Sequence, residues 1–299
     1  MRSSYNETVL RRELVGLGLA GAAFGMRQEQ QEAFVERVAG GFKFTEGPVW
    51  LAEGALVFSD IPTARLLKWS PKDGVLLLRE NSGGANGNAV DSRGRLYSCE
   101  GVTRRVTRTG TDNKIEVLAE SFEGKRLNSP NDIVVRRDGH LWFTDPAFGK
   151  REETRELPFH GVFHLKPNKE LAVVARMDKR SNGVALSPDG RILFVAVSEE
   201  RAVRAWDVDR NGEASNPRVV ITGIDGAPDG LKADAKGNLH IAANALAIYS
   251  PQGRLLRTIQ LPEKPSNLCF GPDEKTIYAT ARTTVYRVLP DAKPAQAQQ

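Results

Sequence analysis

The chain has 299 residues, enough for one or two domains, and its 40% hydrophobic and 7% aromatic content is ordinary for a globular protein. The net charge of +5 comes from Lys and Arg interleaved with Asp and Glu, as in the Arg-Glu-Glu-Thr-Arg-Glu run at 151–156. With no clustered basic stripe and few stacking aromatics, no nucleic-acid partner is expected.

Residues 1–32 are read as an export signal followed by a linker. Arg11 and Arg12 precede an apolar, Gly-rich run from Leu14 to Gly25, and a polar stretch from Arg27 to Glu32 follows. This order suggests the twin-arginine route. The run is shorter than the roughly 20 residues needed to cross a bilayer, so no membrane span is expected. A periplasmic or secreted location follows, with a cytoplasmic one as the alternative.

From residue 33 to 290 the sequence repeats. Glu46, Asn86, Asn131, Asn182, Asp229 and Asn267 are spaced by 40, 45, 51, 47 and 38 residues. Eight positions after each stands a turn residue: Gly54, Gly94, Gly139, Gly190, Gly237 and Lys275. Each turn opens a strand-like run, such as Ala-Leu-Val-Phe-Ser-Asp at 55–60 or His-Leu-Trp-Phe-Thr-Asp at 140–145. Further alternating runs follow in every repeat, and no clean 3.6-residue periodicity appears after residue 35. A period of this length with several short strands per unit predicts an all-β, six-bladed β-propeller in a single domain. The chain enters near Ala33 to Val38 and exits after Val285 to Leu289, so an N-terminal strand is expected to pair into the last blade and close the ring. The longest insertion, Phe148 to Gly161, is polar and charged and is a candidate lid or substrate rim. Residues 291–299 read as a disordered tail. Cys99 and Cys269 fall in repeats 2 and 6, which are not neighbours in a ring of six, so no disulfide is expected.

Equivalent positions in a propeller converge on one axis. The six polar residues should therefore ring one end of the central channel. Two carboxylates and four amides are hard oxygen donors, suited to a divalent cation such as Ca²⁺ or Mg²⁺, with Mn²⁺ and Zn²⁺ also compatible. Two carboxylates buried together without a cation would leave one of them protonated. The four histidines lack metal-ligand spacing, no Gly-x-Ser-x-Gly is present, and the glycine-rich stretch at 83–88 opens no helix.

The motifs Phe-Thr-Glu-Gly-Pro-Val-Trp at 44–50, Leu-Asn-Ser-Pro-Asn-Asp-Ile-Val-Val at 127–135, Leu-Trp-Phe-Thr-Asp-Pro at 141–146, Ser-Asn-Gly at 181–183 and Ala-Pro-Asp-Gly at 227–230 carry a likeness. The chain resembles the gluconolactonase, senescence marker protein 30 and luciferin-regenerating enzyme-like family, most nearly its bacterial gluconolactonases. The resemblance implies one divalent metal in the channel, with calcium the leading candidate. It implies Glu46, Asn131, Asn182 and Asp229 as metal ligands, Asn131 also as a substrate contact, and Asp229 as general base. Asn86 and Asn267 are expected to line the channel and touch substrate. Three positions depart from the family pattern: Val197 stands where an Asp is usual, Gly101 where gluconolactonases often carry His, and Ser129 where the animal branch has Arg. The implied activity is hydrolysis of a small-molecule sugar lactone by a monomer or weak dimer. The alternatives are a hydrolase of another ester, lactone or organophosphate on the same site, or a ligand-binding propeller without turnover.

Overall fold

The computed structural model describes residues 33–291. Six four-stranded antiparallel sheets hold every strand but the short pair Ser121–Phe122 and Lys125–Arg126. Blade 1 runs Thr45–Leu51, Ala55–Asp60, Arg65–Ser70 and Gly74–Arg79. Blade 2 is Ala85–Val90, Leu96–Glu100, Arg105–Thr109 and Ile115–Ala119. Blade 3 is Ile133–Val135, Leu141–Asp145, His160–Leu165 and Leu171–Met177. Blade 4 is Ser181–Leu186, Ile192–Val197, Ala202–Val208 and Ala214–Ile221. Blade 5 is Leu231–Ala233, Leu239–Ala242, Leu246–Tyr249 and Leu255–Ile259. Blade 6 takes Pro265–Phe270, Ile277–Ala281 and Thr284–Leu289, and its outermost strand is Phe34–Gly40 from the other end of the domain. The ring is thus closed as expected, by antiparallel pairing of Phe34 with Leu289 through Gly40 with Thr284. The fold is the six-bladed propeller that the period predicts.

Burial follows strand position. Second strands such as Ala55–Asp60 and Leu141–Asp145 are buried along their whole length because both faces of a blade pack on neighbours. Outermost strands such as Gly74–Arg79 are almost wholly exposed. Six apolar clusters form the core, and each fills one interface between adjacent blades. Leu56, Phe58, Tyr278 and Val285 join blades 6 and 1, Tyr97, Cys99, Ile133 and Phe143 join blades 2 and 3, and Trp142, Val184, Val195 and Trp206 join blades 3 and 4. Cys99 and Cys269 are free and buried.

The turn between first and second strands recurs in every blade. Gly54, Gly94, Gly139, Gly190 and Gly237 all sit at positive φ, where a Cβ is strained. In blade 6 the equivalent residue is Glu274, with φ 54°, whose N–H donates to Gly271 O at 3.1 Å, just as Gly94 N donates to Asp91 O at 2.9 Å. The sixth turn residue is therefore Glu274 and not Lys275.

The 148–161 insertion carries one helical turn, Arg151–Thr154. Its far limb is anchored, because Leu157 and Phe159 are buried in the core between blades 2 and 3. The expected export segment and the tail beyond residue 291 lie outside the described residues. Among the described residues no helix is long and apolar enough to cross a membrane.

Candidate active site

One local irregularity, repeated six times, builds the site. In every blade two successive residues of the innermost strand face a single residue of the second strand, a β-bulge. In blade 1 Glu46 pairs with Ser59 but Val49 with Val57. Blades 2, 4 and 6 shift register in the same place, between Ala85 and Asn88, Ser181 and Val184, and Pro265 and Asn267. In blades 3 and 5 the bulge is visible in the backbone bonds. Asn131 N donates to Thr144 O at 2.8 Å while Thr144 N donates to Asp132 O at 3.0 Å. Asp229 N donates to Ala242 O at 2.8 Å while Ala242 N donates to Gly230 O at 2.9 Å.

The first bulge residues are Glu46, Asn86, Asn131, Asn182, Asp229 and Ser266. The second are Gly47, Gly87, Asp132, Gly183, Gly230 and Asn267. Neighbouring bulges hydrogen-bond directly: Gly87 N donates to Asn131 O at 2.7 Å, Gly183 N to Asp229 O at 3.0 Å and Gly230 N to Ser266 O at 2.8 Å. This approach requires glycine at the donor, since a Cβ on Gly183 would stand 2.4 Å from Asp229 O. Side chains opposite the bulges lock the ring further. Ser59 Oγ donates to Asn86 O at 2.8 Å, and Thr144 Oγ1 donates to Asn182 O at 2.6 Å.

Five of the six residues expected in the ring are thus in register. Asn267 is the correction. Blade 6 presents Ser266 at the ring position, and Asn267 is displaced by one residue into the place that glycine holds in four other blades. There it is buried, with Nδ2 donating to Glu46 Oε2 at 3.0 Å and Oδ1 accepting from Leu268 N at 2.8 Å. It orients the Glu46 carboxylate.

The electrostatics are dominated by acid. Burial pushes the Glu46 carboxyl well above its ordinary range, and the charges of Asp229 and Asp132 push it the same way against donation from Gly47 N and Asn267. Burial also raises Asp229, to about 7, although the Lys264 charge and a hydrogen bond from Asn182 oppose the shift. Asn182 is itself held by Nδ2 donating to Ser198 Oγ at 3.2 Å, and Ser198 Oγ donates to Pro228 O at 3.0 Å. Asn86 and Asn131 remain partly exposed, and their side-chain amides make no hydrogen bond to the described residues.

Two residues were not singled out by the sequence reading. Asp132 takes the second bulge position, directly behind the ring. One carboxylate oxygen accepts from Val184 N at 3.1 Å and lies 3.4 Å from Lys232 Nζ, and the other is buried without a hydrogen bond. Asp145, fully buried, accepts from Asn128 N and Ser129 N, each at 2.7 Å, and so pins the loop that delivers Asn131. Its place in the 141–146 motif was the available signal. The histidines stand away from the ring: His140 and His164 bond each other at 2.8 Å, His240 bonds Asp234 at 3.1 Å, and His160 accepts from Ala147 N at 3.2 Å. Among the described residues no three His, Cys, Asp or Glu side chains are grouped as a metal cage; the acids at the ring itself are Glu46 and Asp229, and the other positions are the amides Asn86, Asn131 and Asn182 and Ser266.

A closed six-bladed propeller with an acidic, amide-lined ring at one end of its channel defines the class. Residues 44–283 match the SMP-30/gluconolactonase/LRE-like region, and the chain belongs to that family. It is 32% identical over 286 residues to a gluconolactonase of Zymomonas mobilis, covering 85% of this chain and 80% of that one. It is 28% identical to regucalcin of Xenopus laevis, covering 80% and 83%. A solved structure of a gluconolactonase from Xanthomonas campestris superposes with a TM-score of 0.79 at 32% identity, covering 87% of this chain and 91% of that one.

Proposed function

We infer that the protein is a hydrolase that opens sugar lactones. The observation that carries the reading is the convergence of two desolvated carboxylates, Glu46 and Asp229, with the amides of Asn131 and Asn182 on one end of the channel. The reading is supported by the gluconolactonases among the relatives.

These residues fit a divalent cation. The donors are all oxygens of Glu46, Asn131, Asn182 and Asp229, and burial raises both carboxyls above their ordinary range, with the charge of Asp229 adding to the shift at Glu46. Such a site is costly to leave ionised without a positive charge. Calcium is our candidate ion, in keeping with the hard donor set. When bound, the cation supplies Lewis-acid stabilisation of charge developing on the lactone carbonyl oxygen.

The chain's own groups do the rest. Asp229 accepts the proton of the attacking water. Asn182, anchored through Ser198, and the positive field of Lys264 oppose the upward shift that burial imposes on Asp229. Asn267 and Gly47 N fix the Glu46 carboxylate. Asn86 and Asn131, with free amides on the channel, orient the substrate's hydroxyl groups.

The test is hydrolysis of a panel of aldonolactones by chelated protein, followed by addition of Ca²⁺, Mg²⁺, Mn²⁺ or Zn²⁺. Restored turnover is expected, with Glu46→Ala and Asp229→Ala folded, unable to retain metal after gel filtration, and nearly inactive. Full turnover in either variant would refute the assignment. We also propose that the N-terminal residues direct export, which fractionation of expressing cells checks; a purely cytoplasmic product would overturn it.

A further inference from the structure

A cleft of about 440 Å³ opens beside the ring, between blades 2 and 3 and under the helical turn at 151–154. That volume is in the range of small-molecule sites. Asn86 and Ser129 form its floor on the ring side. Val102 and Phe148 supply apolar walls, and both are exposed, at 64% and 37%. Lys150 and Arg151 close the far end. No acidic residue lines it.

The state of those two cations is informative. Many of the protein's cations pair with carboxylates, as in Arg79 with Glu100 at 2.6 Å or Arg204 with Glu200 at 2.7 Å. Of the acids that follow in sequence, Glu152 pairs with Arg155 at 3.2 Å and Glu156 with Arg104 at 3.3 Å. Lys150 makes no ion pair with the described residues, and Arg151 makes only a 3.4 Å contact with Thr154 Oγ1. Two cations without an ion pair, on a segment whose far limb is buried through Leu157 and Phe159, line a cleft that runs to Asn86. Guanidinium and ammonium groups so placed are donors without acceptors.

We propose that this cleft receives an anionic group at the end of the substrate remote from the reacting carbonyl, so that lactones carrying a phosphate or a second carboxylate are preferred over neutral ones. The proposal rests on the lactonase reading and narrows it to a substrate class. The apolar walls accept the carbon face of the sugar. The neutral Ser129 and Gly101, which hydrogen-bond across the floor at 3.3 Å, oppose nothing to a negative charge.

Initial rates on glucono-1,5-lactone, its 6-phosphate and glucarolactone, corrected for spontaneous opening, provide the test. The proposal expects kcat/KM higher for one or both charged lactones, and the two charged probes separate phosphate from carboxylate recognition. In Lys150→Gln/Arg151→Gln the ratio of charged to neutral kcat/KM should fall on the order of tenfold, through KM. An unchanged ratio, or neutral and charged lactones used equally by the native protein, overturns it. Calorimetric binding of 6-phosphogluconate against gluconate reads the cleft without turnover. Tighter binding of the phosphate, lost in the double variant, supports the cleft even if no lactone is hydrolysed, an outcome that would sink only the hydrolase reading. Binding of 6-phosphogluconate and of glucarate no tighter than that of gluconate overturns the cleft whatever the turnover.

Discussion

Gly183 offers a way to disturb the site without touching a ring side chain. It has no positive φ, so alanine meets no backbone strain there, and only contact matters. The added Cβ would lie 2.4 Å from Asp229 O, 2.7 Å from Leu231 N and 2.8 Å from Gly230 Cα, all backbone atoms of the next blade, whereas ordinary contact begins at 3.4 Å. Blades 4 and 5 must part by about 1 Å at the channel. Overpacking of this kind destabilises by about 1–3 kcal/mol. The bond from Gly183 N to Asp229 O, 3.0 Å long, is lost as well, for about 1 kcal/mol more. Gly183→Ala should therefore melt on the order of 10 °C lower. Because Asp229 moves with the opened bulge, kcat should also fall about 100-fold. Gly94→Ala is the control: at φ 75° with open space around it, it carries backbone strain of about 1–2 kcal/mol at the opposite end of the blade. It should lose stability and keep its turnover per folded molecule. Full lactone turnover in a folded Gly183→Ala would refute the idea that bulge-to-bulge contact sets the site.

Other outcomes follow from the same structure. Burial raises the Asp145 carboxyl to about 7 and Asp229 to about 7, above the usual carboxylate range, so the folded state favours their protonated forms. The metal-free protein should then lose stability as pH rises from about 4 through 7, where the unfolded chain ionises freely and the folded one does not; a melting temperature that climbs across that window would contradict this, and the fall should shrink in Asp145→Asn. Deleting the chain through Gly40 removes the outer strand of blade 6 and the Glu36–Arg287 pair at 2.7 Å. It should leave an open sheet edge, seen as a broad, lower melting transition and rapid proteolysis. Burial raises both thiols, Cys269 to about 12, so neither should react with a disulfide reagent until the protein unfolds, and then both should.

The architecture was legible because each blade repeats the same physical demands: a polar bulge residue, a left-handed turn eight residues on, and a second strand apolar on both faces. The count slipped in blade 6 for a local reason. There Glu274 adopts the left-handed turn that glycine takes elsewhere, and Ser266, a small common residue, holds the ring position. With neither residue conspicuous, the nearby Asn267 drew the register forward by one. Asp132 was hidden by its neighbour Asn131, since alternation alone does not reveal a bulge that turns consecutive residues toward the channel. Lys150 and Arg151 were visible only as part of a charged insertion; which of its charges are neutralised is decided by contacts distant in sequence, such as Glu156 with Arg104.

The strand Phe34–Gly40 has a consequence for how the molecule comes into being. Blades 1 to 5 are each made of consecutive strands, so their hairpins can form as local events. The sixth sheet is different, for its outer strand is contributed from the opposite end of the domain. Its closure must wait for both ends and bears the entropy of the largest loop in the fold. The ring is therefore expected to close last, as the slow step of folding. Glu46 and Asn267, on opposite sides of that seam, meet only then, so the order of assembly makes the active site one of the last features to form.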